Sequence, residues 1–184
     1  MTSEELPSTL LHGTVTGLVA KALDHDGLYS PGFNPETLEG FPTFFAFPHY
    51  EDYCRRMAQR LIEGKSDLQA QIKAALSNYN LGEIIILDFS AGALPPVHYE
   101  HDDMRDNSLF TVRPVTLNML APRGRTEVER ALGLKATKYF QEHPLIETEN
   151  SLRIESPTLI ERVCLYAPDE RAMIRDMFKT FCPE

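Results

Sequence analysis

Apolar positions along this chain recur with two periods, and together they predict an α+β fold. Thr43-Phe-Phe-Ala-Phe47 is short and continuously apolar, the mark of a strand buried on both faces. The run 83–89 (Glu83-Ile-Ile-Ile-Leu-Asp-Phe89) is the strongest strand and reads as a central one. Residues 109–120 have strand character on both sides of Pro114. Proline cannot donate to a ladder, so this segment lies on an edge, bulges, or is two strands. Residues 159–166 supply the last long strand, and 151–155 a short one.

Between these runs the period lengthens to that of a helix. Leu10, Leu11, Val15, Leu18, Val19 and Ala22 form an i, i+3/i+4 stripe that Ser8 could cap, although Gly13, Gly17 and the β-branched run 14–16 weaken it. Pro48 followed by Glu51 and Asp52 suits a helix start leading through 49–63. Ser66-Asp-Leu-Gln69 and Thr126-Glu-Val-Glu129 are capping-box patterns opening helices at 66–80 and 126–140, and Pro168 opens a last one at 169–181. The apolar runs 43–47 and 163–167 are each followed by proline, an acidic first turn and an Arg/Met helix; shared helix-start chemistry explains this better than duplication. The expected architecture is a mixed, mostly antiparallel sheet of four to five strands with helices packed on at least one face. Residues 1–7 read as a flexible tail, 8–184 as a single domain, and 24–40, with Pro31 and Pro35, as a long irregular loop.

Composition narrows the partners. The chain has 184 residues and a formal net charge of −9, from 18 basic and 27 acidic side chains. Such a field repels phosphate backbones and anionic membranes and leaves a basic partner protein as the compatible macromolecule. No run approaches the roughly 18 apolar residues of a membrane helix. Cys54, Cys164 and Cys182 have neither an even count nor a C-x-x-C spacing, so the expectation is a reducing, cytoplasmic setting with Cys54 and Cys164 as small buried hydrophobes.

The densest chemistry lies in His98-Tyr-Glu-His-Asp-Asp103. In an extended segment side chains alternate, which pairs His98 with Glu100 on one face and His101 with Asp103 on the other. Either pair supplies two thirds of a 2-His-1-carboxylate triad for non-haem Fe(II), with His143 as the third ligand and Arg153 placed to meet the carboxylate of a 2-oxo acid. A hydrolytic zinc site would use His98, His101 and Asp102 with Glu100 as base, but the H-E-x-x-H pattern is absent. A solvated polar loop has the same composition.

A second candidate is Pro122-Arg-Gly-Arg125 running into Thr126, where Arg123 and Arg125 beside the N–H groups of a helix start would form an anion pocket. Its bland counterpart is a glycine turn whose arginines pair with Glu127 or Glu129. Ser90 is not in a G-x-S-x-G elbow, and no Walker loop or G-x-G-x-x-G is present. The sequence alone therefore points first to a small acidic binding, inhibitory or regulatory protein without catalysis. A metal-dependent enzyme centred on 98–103 and an anion-binding domain follow it.

Overall fold

A computed structural model describes residues 7–25, 28–30, 43–63, 79–99, 109–111, 115–148 and 152–153. At its centre is an antiparallel ribbon of β1 (Thr9–Val15) and β4 (Ile84–Ser90), paired from Thr9 with Ser90 to Val15 with Ile84. The predicted first helix from Ser8 is thus corrected: its first half is β1, and α1 (Thr16–Asp24) starts only at Thr16. Tertiary packing overrides the helical stripe here. At Gly13 an added Cβ would stand 2.1 Å from the Cys54 carbonyl oxygen, an approach that only the missing side chain permits. The start of α1 is closed by the segment entering β4, since the Thr16 and Gly17 N–H groups donate to the carbonyls of Glu83 and Leu81 at 2.9 and 2.8 Å. Gly82, at φ +75°, makes that turn.

Six residues of this ribbon form one inward face, for Leu10, His12, Thr14, Ile85, Leu87 and Phe89 stand opposite one another in pairs. Phe89 meets Phe45 edge to face at 5.6 Å in the main apolar cluster, which also takes in Val19, Val128 and Phe140. Leu11, Val15, Cys54 and Ala58 are buried as well, beneath α2 (Glu51–Glu63) on the other face. The 43–47 segment is the predicted strand, given by β3 (Thr43–Phe45) and a bridge from Ala46 to Leu11. Pro48–Tyr50 form a single 3-10 turn into α2, as the proline and acidic residues imply.

The described strands pair in small antiparallel sheets rather than in one sheet of four or five. β2 (Leu28–Ser30) lies within the loop predicted at 24–40 and pairs with β7 (Val115–Thr116). β6 (Leu109–Thr111) pairs with β3 on one side and with β5 (His98–Tyr99) on the other. The 109–120 segment is therefore two strands with different partners, one of the outcomes Pro114 allows. The bridges Leu11–Ala46 and Phe89–Leu120 join the β1–β4 ribbon to its neighbours on both edges. The architecture is broadly α+β. No helix among the described residues is long and apolar enough to cross a membrane.

A second helix also departs from the sequence reading. The helix expected at 126–140 is two: α3 (Pro122–Leu132) and α4 (Leu134–Glu142), separated by Gly133 at φ +63°. Pro122 occupies the first position of α3, where its fixed φ and missing N–H cost nothing. Thr126 is consequently inside the helix, and its hydroxyl donates back to the Pro122 carbonyl at 3.0 Å instead of capping. Leu152 is buried and Arg153 is near β5, but neither is in a strand. The tail up to residue 6, residues 66–78 of the helix expected at 66–80, and the expected elements at 159–166 and 169–181 lie outside the described residues, as do Cys164 and Cys182, while Tyr79 and Asn80 at the expected helix end are not helical.

Candidate functional site

The histidine run meets the described structure only at its beginning. His98 is a β5 residue, opposite Phe110 of β6. Glu100, His101, Asp102 and Asp103 lie outside the described residues. Arg153 is brought beside the start of β5: its carbonyl accepts the Val97 N–H at 3.0 Å, and its guanidinium donates to the Leu94 carbonyl at 2.7 Å. Both ends of Arg153 thus fasten the chain entering β5. His143 closes α4, where it stacks on Tyr139 at 4.3 Å with Nδ1 3.1 Å from the Tyr139 carbonyl oxygen. One ring nitrogen of His143 is therefore taken up by its own helix end. Among the described residues, no group of three His, Cys, Asp or Glu side chains could hold a metal ion.

The arginines expected to form an anion pocket are on the first turn of α3, not on a glycine turn before it. Arg125 pairs with Glu129 at 3.2 Å and lies over the Phe140 ring at 5.3 Å. Its own N–H donates to the Ala121 carbonyl, the first intrahelical bond of α3. Arg123 points to Asp88 of β4, with Nε 3.5 Å from Oδ2 and a side chain that is 83% exposed. The structure brings Arg123 and Arg125 onto one helix turn but gives each a different intramolecular carboxylate.

Asp88 is the residue that pattern reading passed over. It breaks an apolar strand, and alternation turns its side chain away from the face that carries Leu87 and Phe89. Only 14% of that side chain is exposed. Two helix starts converge on it. The Asp88 carbonyl accepts the Ala121 N–H at 2.9 Å, and a Cβ on Gly124 would come within 2.3 Å of that same oxygen. Glu51, the first residue of α2, and Glu127, one turn beyond Arg123, add negative charge. Burial raises the Asp88 pKa above the usual aspartate value; Arg123 opposes this and the two glutamates add to it. The sequence signal was available as a lone carboxylate at an even position of an alternating strand.

A second charged knot sits at the far end of α1. Asp24 accepts from Tyr79 at 2.7 Å and pairs with Lys135 at 2.6 Å, tying α1, the approach to β4 and α4 together. The Lys135 bond and then the Tyr79 bond hold its pKa below the usual range.

Comparison with known proteins finds no family model, no curated protein and no solved structure that matches this chain.

Proposed function

We propose that this chain is a small acidic binding or regulatory protein that engages a basic partner and performs no chemistry of its own. One observation carries the reading. Arg55, Arg123, Arg125, Arg130 and Lys135 are each paired with a carboxylate of the same chain, and Arg153 donates to a backbone carbonyl. Each ion pair cancels locally, so the surplus behind the net charge of −9 resides in other carboxylates. Asp52, Glu142 and Glu147 stand exposed among them. A surface of this kind steers cationic partners and repels polyanions.

The test is titration of the full chain with an arginine-rich peptide and with an acidic peptide of equal length over a range of salt. Binding of the first alone, weakening with salt, is the expected outcome. Reversing Glu142 and Glu147 to lysine should weaken it more than reversing two carboxylates elsewhere, because a docking surface is local whereas net charge is not. Equal loss from any pair, or no binding at low salt, would refute the reading. Elemental analysis of the same preparation supplies the competing outcome. A stoichiometric metal lost in His98→Ala or His101→Ala would replace this proposal with a metal enzyme built on 98–103.

A further inference from the structure

The contact between α3 and β4 joins an almost immovable part to a loosely held one. The immovable part is backbone: the Ala121 N–H on the Asp88 carbonyl, with Gly124 pressed against that oxygen. The loose part is the side-chain pair above it, a mostly buried carboxylate whose guanidinium partner stays at 3.5 Å and is largely in water. A strong charge-assisted bond of this type has N and O about 2.7–2.9 Å apart. Asp88 therefore carries the cost of burial without a close donor in return from Arg123.

We propose that this contact is a proton-controlled latch, in which ionised Asp88 holds Arg123 across the seam and protonated Asp88 releases it. The groups acting on Asp88 come from each element around it. Glu51 belongs to α2 and is itself paired with Arg55 at 2.9 Å. Arg123 and Glu127 belong to α3, and Glu127 is bonded to Arg130. Its partner across the ribbon is the apolar Leu11. Burial, Glu51 and Glu127 all favour the proton, and Arg123 alone opposes it. Acidification therefore removes the attraction that draws Arg123 across the seam to β4 and leaves Glu127, one turn on, as a carboxylate still acting on it, while the backbone contact holds α3 in place. The result is a guanidinium released by β4 and left to Glu127 on its own helix, without unfolding of the seam.

The experiment is an NMR titration of the full chain that follows the Asp88 carboxyl carbon and the Arg123 Nε–H together. Both should titrate with one midpoint, above that of an ordinary aspartate. Arg123→Gln should move the Asp88 midpoint further up, and Glu127→Gln should move it down; both replacements sit on the helix surface and leave the backbone contact intact. Amide signals of Ala121 and Gly124 should stay dispersed through the transition. An Arg123 signal that ignores the Asp88 midpoint, or an Asp88 midpoint unmoved by Arg123→Gln, would overturn the latch.

Discussion

Asp24 and Asp88 are both paired with a cation on a helix that packs from elsewhere in the chain, yet burial and bonding push them in opposite directions. Asp24 is 38% exposed and has two close donors, Lys135 at 2.6 Å and Tyr79 at 2.7 Å, so ionisation suits the fold. Asp88 is 14% exposed with Arg123 at 3.5 Å, and burial outweighs that cation. The lesson is that an ion pair seen in coordinates is not by itself a stabilising contact. What counts is whether close donors replace the water that packing removed. Asp24 knots three segments together. Asp88 is carried at a cost, as expected of a group kept for something other than stability.

The largest effects should come from the glycines that let helices approach the ribbon. Gly13→Ala would set a methyl 2.1 Å from the Cys54 carbonyl oxygen, with two more Cys54 backbone atoms within 3.0 Å. Backbone cannot step aside as a side chain can. A loss of about 1–3 kcal/mol or more is expected, read as a drop of some ~2–4 °C in melting temperature per kcal/mol. Gly124→Ala meets the Asp88 carbonyl oxygen at 2.3 Å, but its next neighbour is a Leu120 methyl at 3.0 Å that can rotate. It should cost less than Gly13→Ala, and it should also change the Asp88 titration by lifting α3 off β4. Gly133→Ala is the control, for nothing lies within 4 Å and only its φ of +63° is at stake. A Gly13→Ala variant that melts with the parent would show that close approach is not what that glycine provides, whereas any cost of Gly133→Ala reports backbone strain alone.

Removing each carboxylate in turn tests the comparison directly. The Asp88 pKa is raised in the fold, so its ionised form destabilises at neutral pH; that cost is relieved as pH falls through the folded pKa and is gone below the unfolded value. Asp88→Asn should therefore match or exceed the parent in melting temperature at neutral pH, with the advantage vanishing on acidification. The Asp24 pKa is lowered, so its stabilising effect is complete above the unfolded value and is lost as pH falls through the folded one. Asp24→Asn should melt lower at neutral pH and converge with the parent in acid. The same sign for both variants would mean that the two sites are electrostatically alike.

How much of this could be read from the sequence depends on the range of the interactions involved. The strands at 43–47 and 83–89, and the proline-led start of α2, were legible because apolar run and first-turn chemistry are local. The sequence of β1 reads as a helix because Leu10, Leu11, Val15 and Val19 satisfy a helical stripe. The feature that makes it a strand is its pairing with β4, whose partners lie from 69 (Val15 with Ile84) to 81 (Thr9 with Ser90) positions along the chain. Sequence pattern places the start of α3 four residues late, since Thr126-Glu-Val-Glu129 imitates a capping box while Pro122 sets the boundary. The pairing of Arg125 with Glu129 was legible from i, i+4 spacing, and that of Arg123 with Asp88 was not. No pattern within a strand tells which distant helix will stand over its one carboxylate.

The smallest expected effect is also the one that separates the two donors of Asp24. Lys135→Gln removes the ammonium of a side chain that is 47% exposed, in a pair open to salt. Exposed pairs of this kind contribute roughly 0.2–1 kcal/mol. Tyr79→Phe removes a neutral donor at 2.7 Å that does not weaken as salt rises. If Lys135 acts mainly through charge, Lys135→Gln should converge with the parent in high salt while Tyr79→Phe does not. The double variant should then raise the Asp24 titration midpoint by more than either single change, because both bonds lower it. Were the double variant no different from Lys135→Gln alone, the phenol would be an onlooker. Asp24 would then differ from Asp88 only in its exposure and in how close its cation stands, and burial would have to account for more of the contrast between them.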